Sequence, residues 1–152
     1  MRSSCRVVVV FSLFVSLGFG ETRIDTDQAH AVITAVVKDD GTRGVQIDLS
    51  NKDSKEQVFL KEESLDRTIK GLDDIAFTAP LVLPRLAGRT GNFCFGSGEF
   101  SKSDLSFTAS QCVFGDWSGL SVNGRFKFTG IDATPFASKL ALAREELKAL
   151  RK

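Results

Sequence analysis

Residues 29–51 read AHAVITAVVKDDGTRGVQIDLSN and decide the predicted fold. The first part is rich in Val, Ile and Ala on both faces, which is typical of a central β-strand. Asp39, Asp40 and Gly41 then form a turn signal. In residues 44–51 apolar and polar side chains alternate, which predicts a second strand with one buried face. The segment therefore predicts an antiparallel hairpin.

Further strands are predicted after this hairpin in the sequence. Residues 61–74 are charged and lack clear alternation, so they fit either a helical turn or an irregular crossing. The other strand-like stretches are residues 57–62, 74–79, 92–96, 105–114 and the hairpin 119–130. We therefore predict a mainly β chain, an antiparallel β-sandwich or open barrel of about seven or eight strands with one C-terminal amphipathic α-helix.

The last hairpin, residues 119–130, has two possible registers. A two-residue turn would place Leu120 and Phe126 on opposite faces of the sheet. A three-residue loop, 122–124, pairs the same two residues and gathers the apolar side chains on one face. It also gives Gly124 the positive φ of a bulged turn. We predict the three-residue loop.

The C-terminal segment changes from strand to helix, and we predict an amphipathic helix over about residues 135–151. Thr134 fits the N-cap and Pro135 the first helical position. Packing of this helix on its own sheet is favoured over a coiled coil or a docking helix. Its apolar stripe, at steps of four, three, four and three, consists of Phe136, Leu140, Ala143, Leu147 and Leu150.

Residues 1–20 have the three-part pattern of a secretory signal peptide. Arg2 and Arg6 precede a mostly apolar run, and Gly18 and Gly20 stand where a signal peptidase would cleave. The apolar run is shorter than the roughly 20 residues that a membrane-spanning helix needs. We therefore predict cleavage after Gly20, no membrane span in the mature chain, and a secreted or periplasmic protein.

The mature chain, residues 21–152, has the length of one domain, and we predict a single β-rich domain. Without Arg2 and Arg6 it carries 18 Lys and Arg against 19 Asp and Glu, and both signs are scattered along the chain. It contains no basic run or stripe, so nucleic-acid binding is not expected.

Residues 92–114, NFCFGSGEFSKSDLSFTASQCVF, contain both cysteines of the predicted mature chain. In an oxidising compartment an even pair of cysteines is a disulfide by default. We predict that Cys94 pairs with Cys112 across two antiparallel strands. This register would place Ser97 opposite Ala109, and the glycines would lead into a polar loop.

The sequence contains no recognisable catalytic set. His30, the one histidine, lies in the predicted apolar strand, where a structural histidine with a satisfied partner is the commoner case. Residues 95–99, FGSGE, do not match the Gly-x-Ser-x-Gly nucleophile turn. The acidic pairs at 39–40 and 73–74 match no EF-hand loop. We therefore predict no catalytic residue, cofactor or metal site.

The function that we expect is that of an exported, non-catalytic β-domain binding another protein, as an inhibitor, adaptor or envelope component. One alternative is a β-barrel carrier of a small apolar ligand, lined by some of the ten Phe of the mature chain, which contains no Tyr. A second alternative is a hydrolase of unrecognised type. Because proline cannot donate to a sheet ladder, we expect the apolar stretch that begins at Pro80 and includes Pro84 to lie at a sheet edge or in a loop. This stretch supplies the candidate partner-binding surface, comprising Leu81, Val82, Leu83, Arg85 and Leu86.

Overall fold

The structure, a computed structural model, describes residues 21–82, 93–102, 104–113 and 119–151. The predicted signal peptide therefore lies outside the described residues. The described part contains four strands and a helix, followed by four more strands and a second helix. The elements are β1 (Thr22–Asp25), β2 (Ala29–Val37), β3 (Arg43–Asn51), β4 (Lys55–Lys61), α1 (Glu62–Val82), β5 (Phe93–Lys102), β6 (Leu105–Val113), β7 (Gly119–Val122), β8 (Phe126–Thr129) and α2 (Thr134–Ala149).

Within these ranges the strands form two four-stranded antiparallel sheets. Their orders are β1-β2-β3-β4 and β5-β6-β7-β8, so neighbouring strands in each sheet are also neighbours in the sequence. The prediction of a mainly β fold is confirmed, and the arrangement is consistent with a sandwich or open barrel. Each sheet is followed by one helix, a repeat of architecture that the sequence does not reveal.

The β2–β3 hairpin has the predicted turn and one buried face. Its strands pair with Ile33 opposite Ile47. The backbone N–H of Lys38 donates to the carbonyl of Thr42 at 2.8 Å, and Gly41 adopts a φ of 84°, which glycine tolerates best. The core-facing residues of the two strands are Ala29, Ala31, Ile33, Ala35, Val45, Ile47 and Leu49.

Helix α1 occupies the segment where the sequence analysis predicts a strand at 74–79, and that prediction is wrong. Pro80 to Val82 form the end of the same helix, so the expectation of a loop or sheet edge at these three positions is also wrong. The buried face of α1 includes Leu65, Ile69, Leu72 and Ile75, at steps of four, three and three. This spacing is helical, and the many charged residues of the segment lie between its members.

The β5–β6 hairpin pairs Cys94 with Cys112, the register that the predicted disulfide needs. A β-bulge between Gly96 and Gly98 then shifts the register by one residue. Because of this bulge Ala109 lies opposite Gly98, and the predicted pairing of Ala109 with Ser97 is wrong. Strand β5 extends farther than predicted, to Lys102, whereas β6 begins at Leu105 as predicted.

The loop of the last hairpin is displaced by one residue from the prediction. It comprises residues 123–125 and pairs Val122 with Phe126, so the predicted pairing of Leu120 with Phe126 is wrong. Gly124 has the predicted positive φ, 66°. The apolar side chains still share one face, because a shift of two residues preserves the face. These buried residues are Leu120, Val122, Phe126 and Phe128.

Helix α2 packs on the protein's own core, as predicted for the C-terminal helix. Its N-cap is Ala133, so the prediction of Thr134 as the N-cap is wrong. A carboxylate oxygen of Asp132 accepts a hydrogen bond of 2.8 Å from the backbone N–H of Thr134 and satisfies that otherwise free donor. The predicted stripe is buried at Phe136, Leu140, Ala143 and Leu147, and Leu150 packs against its edge.

One hydrophobic core joins the two sheets and the two helices. At its centre the ring of Phe136 on α2 meets Phe107 of β6 and Phe128 of β8 edge to face, with ring centroids 5.7 and 5.1 Å apart. Edge-to-face contacts of this kind stabilise aromatic clusters beyond the area that they bury. Three phenylalanine rings therefore fill the space where the second sheet faces α2.

Candidate functional site

A cleft of about 630 Å³ lies where the β2–β3 turn, the first turns of α1 and the last turns of α2 meet. Its volume is within the range of about 300–1,000 Å³ that is usual for ligand sites. We call it the charged cleft, because eight of its ten lining residues are charged: Gly41, Thr42, Arg43, Lys61, Glu62, Glu63, Asp66, Arg144, Lys148 and Arg151.

The fold places opposite charges together in this cleft. The N-terminus of α1, with Glu62 and Glu63 in its first turn, lies beside the C-terminus of α2, with Lys148 in its last turn. Acidic side chains favour the positive N-terminal end of a helix, and basic side chains favour the negative C-terminal end. The two helix ends therefore carry side chains that suit their own dipoles and attract each other.

The floor of the cleft is an ion pair between Arg43 and Glu62. The Arg43 Nε donates to Glu62 Oε2 at 2.9 Å, and the two side chains are only 22% and 20% exposed. A second guanidinium nitrogen of Arg43 donates to the backbone carbonyl of Leu147 on α2. Arg151 Nη2 donates to the other carboxylate oxygen of Glu62 at 2.9 Å. Glu62 thus connects the first sheet to the end of α2.

The protonation state of Glu62 follows from these contacts. Burial opposes the charged form, but the hydrogen bonds from Arg43 and Arg151 outweigh it and lower the pKa of the Glu62 carboxyl group below its ordinary value. At neutral pH the group is an ionised carboxylate that accepts hydrogen bonds and is poorly suited to donate a proton.

The wall of the cleft is a second, more exposed set of ion pairs. Arg144 Nη1 donates to Asp66 at 2.6 Å and its Nε donates to Glu145 at 3.3 Å. The hydrogen bond with Asp66, ahead of the other causes, raises the pKa of Arg144. Lys148 Nζ donates to Glu145 at 3.0 Å, and this bond is the main reason why the pKa of Glu145 is lowered. Both shifts favour the charged forms of Arg144 and Glu145 at neutral pH.

The chemistry of the cleft is that of ion pairing. Its lining has five cationic and three anionic side chains, and Arg guanidinium groups stay protonated throughout the physiological range. The lining contains neither a histidine nor a cysteine nor a serine. Such a site can exchange its own ion pairs for those of a charged ligand. Two of its three carboxylates, Glu62 and Asp66, already pair with arginines.

The predicted disulfide and the predicted partner surface lie elsewhere. Cys94 and Cys112 are register partners in the second sheet, and their disulfide stays a prediction. Leu81 and Val82 belong to the last turn of α1. The other predicted surface residues, Leu83, Arg85 and Leu86, lie outside the described residues.

His30 is exposed on β2. Its Nδ1 lies 2.9 Å from a carboxylate oxygen of Asp25 on the neighbouring edge strand β1. The expectation of a histidine with a satisfied partner agrees with this contact, although the partner lies on the solvent-facing side of the sheet.

The two acidic pairs have separate roles in the fold. Asp40 accepts a hydrogen bond of 2.8 Å from the backbone N–H of Thr42 and so supports the β2–β3 turn. On α1, Lys70 donates to Asp74 at 2.7 Å as an exposed pair one helical turn apart. In the part of the chain that the structure describes, no three His, Cys, Asp or Glu residues are grouped in a way that could hold a metal ion.

Sequence reasoning did not find the charged cleft. Some signals were present, since Arg43 follows a turn, Glu62 and Glu63 follow a strand, and the chain ends in basic residues. Their proximity depends on contacts such as that between Arg43 and Leu147, which are 104 positions apart. Local sequence patterns do not show which residues far apart in the sequence come into contact.

Comparisons with known proteins add no relative. A scan of protein-family models gave no match, and a search of curated proteins found no significantly similar sequence. Among the described residues, no helix is both long and apolar enough to cross a membrane. Function must therefore be argued from the site itself.

Proposed function

We propose that this protein is an exported, non-catalytic β-domain that binds another protein, as an inhibitor, adaptor or envelope component. The observation that supports the proposal best is the state of the charged cleft. It is a surface cavity of ligand-binding size in which two of the three lining carboxylates are ion-paired with arginines. Sites of this kind give electrostatic complementarity to a partner and do not supply acid–base catalysis.

The packing of the core argues against the carrier alternative. A carrier needs an apolar cavity, and the aromatic rings of Phe107, Phe128 and Phe136 are in mutual contact where such a cavity would lie. A hydrolase that used a carboxyl group of this cleft as its general acid would need that group to hold a proton near neutral pH. The lowered pKa of Glu62 is the opposite of what that role needs.

The experiment that tests this proposal is affinity capture in the source organism. The full-length chain with a C-terminal tag is expressed there and recovered from the exported fraction. We expect one protein to co-purify in a stoichiometric amount and to bind the purified chain again by calorimetry.

Two controls decide how a capture is interpreted. Phe136→Asp places a charge against Phe107 and Phe128 and should unfold the domain. A partner that recognises the folded protein should then no longer co-purify. Leu81→Asp tests the surface predicted from sequence. Absence of any stoichiometric protein, or a small apolar molecule found by native mass spectrometry in the purified chain, would contradict the proposal.

A further inference from the structure

We propose that the charged cleft is the docking site for an acidic segment of the partner protein, and that Lys61, Lys148 and Arg151 recognise its carboxylates. This inference rests on the proposed binding function and adds to it a place on the surface and a partner chemistry.

The floor and the rim of the cleft differ in how available their charges are. Arg43 and Glu62 on the floor are mostly buried and satisfy each other. On the rim, Arg151 is 63% exposed and Lys148 is 56% exposed, and Lys61 is exposed as well. The rim cations can therefore reach a ligand without breaking the ion pair between Arg43 and Glu62.

The rim cations also have hydrogen-bonding capacity to spare. Arg151 makes one ion-pair hydrogen bond, through Nη2 to Glu62, whereas a guanidinium group has five N–H donors. Lys148 pairs with Glu145 within one helix, and both side chains are more than half exposed. Exposed pairs of this kind contribute little free energy, so a carboxylate of a ligand can replace Glu145 at small cost.

The charge balance of the cleft selects the sign of the ligand. Five cationic side chains against three anionic ones leave an excess of two positive charges in the lining, and Glu145, which pairs with Arg144 and Lys148, reduces this excess to one. Two anionic members are tied to arginines, because Glu62 bonds Arg43 and Arg151 and Asp66 bonds Arg144. The described contacts contain no carboxylate partner for Lys61, so its charge adds to the attraction for an anion.

The two exposed acidic groups of the lining favour a polypeptide ligand over a uniform polyanion. Glu63 is exposed and Asp66 is 81% exposed, so both present negative charge on the α1 side of the cleft. A sulfated glycan or a nucleic acid carries closely spaced negative charge and would be repelled there. An extended peptide carries its carboxylates at intervals, and its backbone N–H groups can donate to Glu63 or Asp66.

Fluorescence polarisation with defined peptides tests the inference. The probes are a labelled peptide of alternating Glu and Ser and the same peptide with Gln in place of Glu. We expect the Glu peptide to bind the wild-type chain with clearly higher affinity than the Gln peptide. We also expect this affinity to fall as salt is added. Lys61→Gln and Lys148→Gln should each weaken binding about two- to fivefold, the effect of losing one exposed ion pair.

Lys52→Gln provides the matched control. It removes the same charge from an exposed residue in the β3–β4 turn, at the other end of β3, roughly 25–30 Å from the cleft at about 3.4 Å per residue. We expect this variant to bind the Glu peptide as the wild type does. Circular dichroism and thermal unfolding should show that all three variants are folded.

Three results would overturn the inference. They are equal affinity for the Glu and Gln peptides, unchanged binding by both cleft variants, and tighter binding of a sulfated glycan than of the Glu peptide at matched charge. A partner that is captured as proposed above but binds both cleft variants normally would keep the binding function and remove this cleft as its site.

Discussion

At the scale of single residues, Glu62 has the largest expected effect on stability. It connects β3 with the end of α2, because its two oxygens accept hydrogen bonds from Arg43 and Arg151. Glu62→Gln would leave a mostly buried guanidinium without its counter-charge, so we expect the free energy of unfolding to fall by about 1–3 kcal/mol. Urea unfolding at neutral pH measures this loss. The neighbouring exposed residue provides the control, because Glu63→Gln should change stability by less than about 0.5 kcal/mol.

The same residue predicts a pH dependence. Because the folded state lowers the pKa of Glu62 below its ordinary 4.5, the folded protein holds the ionised form more tightly than the unfolded chain does. The contribution is complete above that value and is lost as pH falls through the folded pKa. The stability difference between wild type and Glu62→Gln should therefore be constant near neutrality and shrink in acid. A difference that grows in acid would contradict this assignment.

Asn123 joins three parts of the structure from a backbone position with a φ of 51°. Its Oδ1 accepts from the backbone N–H of Ser106 at 2.8 Å, and its Nδ2 donates to Glu56 at 2.7 Å and to the carbonyl of Asp104 at 3.0 Å. The side chain thus ties the turn of the last hairpin to β4 and to the β5–β6 turn.

Two substitutions separate the side-chain role of Asn123 from its backbone role. Asn123→Ala removes these side-chain hydrogen bonds and puts at this position a residue that disfavours positive φ. We therefore expect the free energy of unfolding to fall by about 2–3 kcal/mol. Asn123→Gly removes the same bonds but accepts the φ, and it should cost about 1 kcal/mol less. Thermal unfolding compares the two. Equal losses would show that backbone conformation contributes nothing at this site.

At the scale of elements, the β5–β6 hairpin carries the disulfide prediction. Cys94 and Cys112 are 18 positions apart and face each other in the register. Closing a loop of this length restricts the unfolded chain, so Cys94→Ser with Cys112→Ser should lower the free energy of unfolding by about 3 kcal/mol. The exported protein should resist alkylation by iodoacetamide until it is reduced. Immediate labelling of both cysteines would show that they are free thiols.

The elements also show what local sequence patterns can and cannot predict. The β2–β3 hairpin was predictable because alternation and a turn signal agree over residues 29–51. In the last hairpin the buried face was predictable but the pairing was not, since a shift of two residues buries the same side chains. For helix α1 a helical turn within residues 61–74 was one of two open alternatives, but its full length was not predicted. Charged residues interrupt the buried spacing that starts at Leu65, and residues 74–79 resemble a strand in composition.

The candidate site was the least predictable part, for a reason that applies to tertiary contacts in general. Charge composition indicated that both signs were present near α1 and α2, but not that they would meet. These charged residues come together because α2 packs against α1 and the first sheet, and that packing depends on residues throughout the core. The apolar stripe of α2 was predictable as a helix face, whereas the sheet on which it packs was not.

At the scale of the whole molecule, export is the property that the proposed function needs. The prediction is cleavage after Gly20, so the mature protein should begin at Glu21, four residues before the end of β1. N-terminal sequencing or intact mass spectrometry of the exported protein measures this. Replacing the apolar run by charged residues should retain the chain in the cytoplasm, whereas Lys52→Gln should not. An exported protein that still begins at Met1 would contradict the prediction.

The position of helix α2 near the end of the chain affects the order in which the parts of the core can form. Phe136, Leu140 and Leu147 complete a core whose first members lie on β1 and β2. A chain that crosses a membrane with its N-terminus first delivers these side chains last. Helix α1 contacts the first sheet earlier in the chain, but the contacts of that sheet with α2 can form only after the final helix has emerged. For a protein exported in an unfolded state, the native core would therefore be completed only when the last helix packs on it.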